Sequence, residues 1–153
     1  MDADGNRSRE GLRVLEDLAR VVLDDGDLAS AIKDLRHGIT ATLAGLPLSG
    51  LEARDASGDV GGAIETAAEY RRPGIAAIAE AAGARAAEAL RGLEEGSKLL
   101  SSVEDPAKTF ESIRYRVYEL TARLVEALGR GGPSGWRVQV LLTESACRAS
   151  WQE

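Results

Sequence analysis

Arg7-Ser8-Arg9-Glu10-Gly11-Leu12-Arg13-Val14-Leu15-Glu16-Asp17 meets a near copy of itself 78 residues on, as Arg85-Ala86-Ala87-Glu88-Ala89-Leu90-Arg91-Gly92-Leu93-Glu94-Glu95. Arg, Glu, Leu, Arg, Leu and Glu recur without a gap, and Asp17 becomes Glu95. The match resumes further along, where Leu35-Arg36-His37 faces Ile113-Arg114-Tyr115 at the same offset. Agreement in two separate segments, in charges as well as apolar positions, marks a duplicated structural unit. Leu12, Leu15, Ala19 and Val22 recur at helical spacing. The unit therefore reads as a helical hairpin, and the two hairpins are expected to be related by a pseudo-twofold axis.

Working outward, the first helix runs from Arg7 to Leu23, with Asn6 or Asp4 as its N-cap. A second starts after Asp27 and buries Leu28, Ile32, Leu35, Ile39, Leu43 and Leu46 before Gly45 and Pro47 end it. A loop from Arg54 to Gly62 follows, then a short helix up to the breaker Pro73-Gly74. An Ala-rich helix extends from about Ile75 to Leu100. Asp105-Pro106 is a cap followed by a first-turn proline, and it opens a last helix with Phe110, Ile113, Val117, Leu120 and Leu124 inward. Gly129 stops it. The expected class is all-α, with about five helices. Gly131 to Gly135 reads as a linker, and Val138-Gln139-Val140-Leu141-Leu142 has strand character with no sheet to join in a helical domain. The domain plan is thus a helical unit over 1–129, a linker over 130–136, and the start of a further domain over 137–153.

At 153 residues the chain suits one domain of ordinary size, and 44% hydrophobic with 29% charged residues is a globular balance. No apolar run approaches the ~20 residues of a membrane span, and no signal-peptide pattern opens the sequence. The lone Cys147 excludes a disulfide framework and a cysteine zinc site, which fits a cytoplasmic protein with no membrane partner. A net charge of −6 argues against general nucleic-acid binding. Of 19 basic residues, 16 are Arg. Planar guanidinium forks suit phosphates and carboxylates, although GC-rich coding produces the same bias.

No GxxxxGK[ST] phosphate loop, GxSxG elbow or HExxH zinc helix occurs. A Cys–His pair would need His37 and Cys147, and Tyr115 in place of His37 in the second copy points to hydrogen bonding instead. On the first helix Asn6, Glu10, Arg13, Asp17 and Arg20 lie opposite the apolar stripe; Glu88, Arg91, Glu95 and Lys98 repeat that charged face. Solvated faces use such pairs, at a few tenths of a kcal/mol each. So small a gain does not require charges at equivalent places in both copies. Asp55 and Asp59, beside Arg54, could share a Mg²⁺ that also holds substrate phosphates; alternatively Asp59 caps the short helix and Asp55 answers Arg54.

The opening Asp2-Ala3-Asp4-Gly5-Asn6-Arg7-Ser8-Arg9-Glu10-Gly11-Leu12-Arg13-Val14-Leu15-Glu16-Asp17 resembles the D-A-N-x-N-R-x-x-E-G-L-R-V-x-E-D start of a small bacterial family. Its members are hydroxymethylpyrimidine phosphate kinases of thiamine biosynthesis, found alone or fused ahead of thiamine phosphate synthase. Leu35-Arg36-His37, Arg54-Asp55, Asp59-Val60-Gly61, Glu69-Tyr70-Arg71-Arg72, Arg85 to Glu95 and Arg114-Tyr115 extend the resemblance over about residues 2–128. Asp4 stands where the family has Asn, and Gly83-Ala84 where an Asn often precedes the second Arg. Arg137 to Glu153 looks like the opening strand of the synthase barrel, as if a kinase domain had been cut from a longer protein.

The resemblance implies ATP and Mg²⁺ as cofactors, small-molecule phosphates as ligands, and a fused or neighbouring thiamine phosphate synthase as partner; a homo-oligomer stays open. Arg7, Arg13, Arg36, Arg91 and Arg114 would clamp phosphates, Asp55 and Asp59 would hold Mg²⁺, and Asn6 would add an anion-binding helix N-terminus. Glu10, Asp17, Glu88 and Glu95 would orient the arginines or bind the aminopyrimidine, with His37, Arg54 and Tyr115 nearby. The rival expectations are a non-catalytic module that docks on or regulates the synthase, and a helical dimerisation domain.

Overall fold

The computed structural model describes residues 1–46, 72–100 and 105–129. These form α1 (Asp2–Asp17), a π-helical turn (Leu18–Val22), α2 (Gly26–Ala44), α3 (Ile75–Ser97) and α4 (Pro106–Gly129). Among the described residues there is no strand, and the class is all-α. The fifth, short helix, the loop from Arg54 to Gly62, and the linker and strand expected over 130–153 all lie outside the described residues.

The ends of the helices follow local chemistry. α1 begins at Asp2 with Met1 as its cap, so neither Asp4 nor Asn6 is the N-cap. No breaker stands between Met1 and Arg7, and Asp2 and Asp4 in the first turn favour the positive end of the helix dipole. Past Asp17 the ladder widens into a π turn, closed by Leu23 N–H donating to Leu18 O at 3.2 Å. Asp24 then turns the chain with a left-handed φ of 54°, a conformation Asp tolerates better than most residues. Asp25, not Asp27, caps α2: its Oδ1 accepts from Leu28 N–H at 2.9 Å, so the helix starts at Gly26. α4 opens at Pro106 behind Asp105, whose carboxylate accepts from Lys108 N–H at 3.2 Å.

The helices close into a four-membered bundle in which α1 packs on α2 and α3, and α4 packs on α3 and α2. Leu12, Leu15, Leu90 and Leu93 fill its centre with Ile32, Ile39, Phe110, Val117, Leu120 and Leu124, all essentially inaccessible. Leu35, Leu43, Leu46 and Val22 pack against that core only partly buried.

Glycine lets the repeated helices approach closely. A Cβ on Gly11 would lie 2.6 Å from the Ala82 carbonyl oxygen; one on Gly92 would lie 3.2 Å from the Asp4 carboxylate, and one on Gly96 3.1 Å from Met1. Positions that rise along α1 thus meet positions that fall along α3, so the two equivalent helices run antiparallel. Within the hairpins, Gly5 faces Leu43 and Gly83 faces Thr121. Both members of the second pair lie 78 residues beyond the first. Antiparallel equivalent helices with matched internal contacts are the geometry of a twofold pseudo-symmetry, as the repeat predicts.

Candidate functional site

The site starts from a carboxylate on the apolar side of α1. Glu16 shares a stripe with Leu12, Leu15 and Ala19 and is buried with them. A buried carboxylate needs a charged partner, and Arg36 of α2 supplies it, donating Nε–H to Glu16 Oε2 at 3.0 Å. The second hairpin repeats the pair. Glu94, in the stripe of Leu90, Leu93 and Ser97, accepts from Arg114 Nε at 3.1 Å and Nη2 at 2.9 Å. Glu and Arg are 20 residues apart in both hairpins.

Around each buried pair runs an exposed ladder. Arg13 lies 3.9 Å from Glu16 and 3.4 Å from Asp17, and Arg20 lies 3.6 Å from Asp17. The copy is tighter: Arg91 reaches both Glu94 and Glu95 at 2.7 Å, and Lys98 reaches Glu95 at 2.8 Å. The Lys98 hydrogen bond, aided by Arg91, holds the Glu95 carboxyl below the usual carboxylate range and raises the Lys98 ammonium in turn.

The two hairpins then part company. Arg114 is enclosed: its guanidinium carbon lies 4.8 Å from the Tyr115 ring centroid and 5.9 Å from that of Tyr118, and the two rings meet edge to face. A hydrogen bond to Tyr118, then the Glu94 carboxylate, raise its already high pKa against the opposing effect of burial. The counterpart of Tyr118 is Thr40, whose small hydroxyl turns back to donate to the Arg36 carbonyl oxygen at 3.0 Å. The space a ring would fill is open. There a cleft of about 370 Å³ is lined by Asn6, Arg9, Glu10, Arg13, Arg36 and Thr40. Arg9 is braced by Nε–H donation to the Gly5 carbonyl oxygen at 3.1 Å and by Asn6 Oδ1 at 2.5 Å. Glu16 and Asp17 balance Arg36 and Arg13 from behind, and the guanidinium N–H groups of Arg9, Arg13 and Arg36 that line the cleft beside Glu10 are donors suited to an anion. A second cleft, of about 460 Å³, is lined by Arg72, Ala81, Ala84, Arg85 and Glu88 and shares no residue with the first.

Of the residues singled out in the sequence, Asn6, Glu10, Arg13 and Arg36 meet in the first cleft, with Asp17 on the turn beyond. Asn6 sits inside α1, so the expected anion-binding helix N-terminus at that residue is corrected: it contributes a side chain and no free backbone N–H end. Arg91, Glu95, Arg114 and Tyr115 cluster on the second hairpin, while Glu88 lines the other cleft. Arg7 points to solvent 3.9 Å from Asp4, and His37 is exposed beside Arg36. Arg54, Asp55 and Asp59 lie outside the described residues. Glu16, Glu94, Arg9 and Thr40 were missed. For the two glutamates a signal existed: each repeats at a position belonging to the apolar stripe.

No three His, Cys, Asp or Glu side chains converge into a metal-holding group among the described residues, and no described helix is long and apolar enough to cross a membrane.

The model of the ThiD2 family matches residues 1–123. The thiamine-phosphate synthase of Rhodopirellula baltica is 40% identical over 121 residues, covering 77% of this chain and 31% of that protein. A thiamine-phosphate synthase of Synechococcus sp. is 38% identical over 130 residues (85% of this chain, 35% of that protein), and one of Synechocystis sp. is 40% identical over 128 (82% and 35%). The chain therefore spans about a third of the length of the curated relatives it matches. No solved structure matches it. Matched across both hairpins and through both buried Glu–Arg pairs, the chain belongs to the ThiD2 family.

Proposed function

We propose that this chain acts in thiamine biosynthesis as a kinase, transferring the γ-phosphoryl group of ATP to 4-amino-2-methyl-5-hydroxymethylpyrimidine phosphate. The observation that carries the reading is the open arginine cleft between α1 and α2, anchored by the buried Glu16–Arg36 pair, in a chain of the ThiD2 family. An oxygen of the acceptor phosphate attacks the γ-phosphorus, the bond from that phosphorus to the bridging β-oxygen breaks, and ADP leaves. With a second pKa of about 6 the acceptor is already mostly ionised near neutrality, so no general base is required. What the protein must supply is alignment of two anions and neutralisation of their charge.

Arg36, held by Glu16, and Arg13, held by Asp17, point their guanidinium groups at one opening, where Asn6 and Arg9 add donors. These residues bind the acceptor phosphate, which favours the monophosphate over the free alcohol. Glu10 makes no ion pair among the described residues and can hydrogen-bond the aminopyrimidine. Arg85 of the second cleft is a candidate for nucleotide phosphates. Behind the first cleft Glu16 and Asp17 are committed to arginines, and Glu10 on its lining is a single carboxylate among three arginines, so the described donors do not by themselves fit a cation. Mg²⁺ would be held by Asp55 and Asp59 with the substrate phosphates, and it would neutralise charge developing on the transferred group.

The test is to incubate the chain with Mg²⁺–ATP and either the monophosphate or the free alcohol, following ADP and the diphosphate. Turnover of the monophosphate alone is expected, and Arg36→Ala should lower kcat/KM by about 100-fold or more, as for loss of one charge-stabilising donor. A folded chain giving no product from either substrate overturns the kinase reading for this chain. The second reading, a non-catalytic module serving a synthase, then stands; it is favoured by relatives named for the synthase activity, of which this chain matches only about a third.

A further inference from the structure

We infer that the duplication is chemically asymmetric: the first hairpin opens a phosphate-binding cleft onto Arg36, and in the second Tyr118 stands over the equivalent Arg114. Three of the six lining positions are kept between copies, as Glu10/Glu88, Arg13/Arg91 and Arg36/Arg114. The other three change in one direction. Asn6 becomes Ala84, Arg9 becomes Ala87, and Thr40 becomes Tyr118, so two donors vanish and a ring arrives. The arginine at the centre responds accordingly. The Arg36 side chain is 21% exposed and, among the described residues, is engaged through Nε alone, leaving its Nη groups for a ligand. The Arg114 side chain is 10% exposed, gives both Nε and Nη2 to Glu94, and lies against the rings of Tyr115 and Tyr118. A guanidinium fork binds a phosphate dianion through two parallel N–H groups. Arg36 offers that fork and Arg114 does not. Arg114 is therefore a structural residue, and position 40 or 118 decides whether the arginine beside it admits an anion.

The asymmetry rests on the phosphate reading of the cleft, but binding alone tests it, so a loss of kinase activity and a loss of the asymmetry are read separately. The full chain, labelled with ¹⁵N, is titrated with inorganic phosphate at constant ionic strength against chloride, and the arginine Nε–H resonances are followed. The Arg36 resonance should shift with phosphate and not with chloride, and the Arg114 resonance should stay still. Thr40→Tyr should weaken the Arg36 response at least tenfold, whereas Thr40→Val, which removes the hydroxyl without filling the space, should keep it. Tyr118→Thr should make Arg114 responsive. Thr40 and Tyr118 are both exposed, so these substitutions leave the core intact, and amide spectra verify the fold. Equal responses of Arg36 and Arg114 in the unmodified chain, an unchanged Arg36 response in Thr40→Tyr, or a silent Arg114 in Tyr118→Thr would each overturn the inference.

Discussion

Glu94 and Arg114 are both almost completely enclosed, and Glu94, which also meets the exposed Arg91, is the carboxylate that Arg114 pairs with. Glu94→Gln leaves Arg114 charged without a carboxylate and should cost about 3 kcal/mol, as for breaking a buried pair. Glu16→Gln should cost less, roughly 1 kcal/mol, because Arg36 can turn its exposed part to water. Urea denaturation of the two variants checks the order; equal losses would mean that burial of the arginine does not set the cost. At this scale the sequence is half legible. Alternating charges opposite Leu12 draw attention to Glu10, Arg13 and Asp17, and so to the rim of the cleft. Glu16 lies on Leu12's own side, where a search for a charged face does not look, and its burial depends on α2 bringing Arg36 over it. Thr40 carries no chemical signature at all; its meaning appears only when a tyrosine stands at the equivalent position.

Between elements, glycines set the spacing, and their substitution should separate sites by sign. Gly11→Ala drives a methyl group toward a backbone oxygen that cannot swing away, so α1 must move from α3. It should cost about 2–3 kcal/mol, in the range of overpacking, despite alanine's better helix propensity. Gly83→Ala meets both branches of the Thr121 side chain, a clash that no χ1 rotamer clears, and should cost about as much. Gly26→Ala meets nothing within 4 Å in the first turn of α2 and should stabilise by about 0.5–1 kcal/mol. Thermal unfolding of the three variants gives the ranking, and a destabilised Gly26→Ala would sink it. Helix starts marked by punctuation were legible, as at Pro73-Gly74 and Asp105-Pro106. The start of α1 was not, because Asp2 to Asn6 contains no breaker and the side-chain cap that a sequence reading looks for is absent. The π turn was equally hidden, since Leu18-Ala19-Arg20-Val21-Val22 reads as plain helix.

Across the whole molecule, each buried Glu–Arg pair closes within its own hairpin, 16 to 36 and 94 to 114, whereas the α1–α3 and α2–α4 packing joins one hairpin to the other. Either half thus contains its own electrostatic requirements and lacks only a hydrophobic partner. Covalent continuity between the halves is then dispensable. Residues 1–46 and 72–129, made as separate polypeptides, should associate one to one into a helical complex whose stability rises with concentration. Ultracentrifugation and far-ultraviolet circular dichroism of the mixture would show it, and fragments that stay apart at high micromolar concentration would refute it. The one chain behaves as a fused dimer whose two subunits have diverged, one presenting its central arginine at an opening and the other keeping the equivalent arginine indoors.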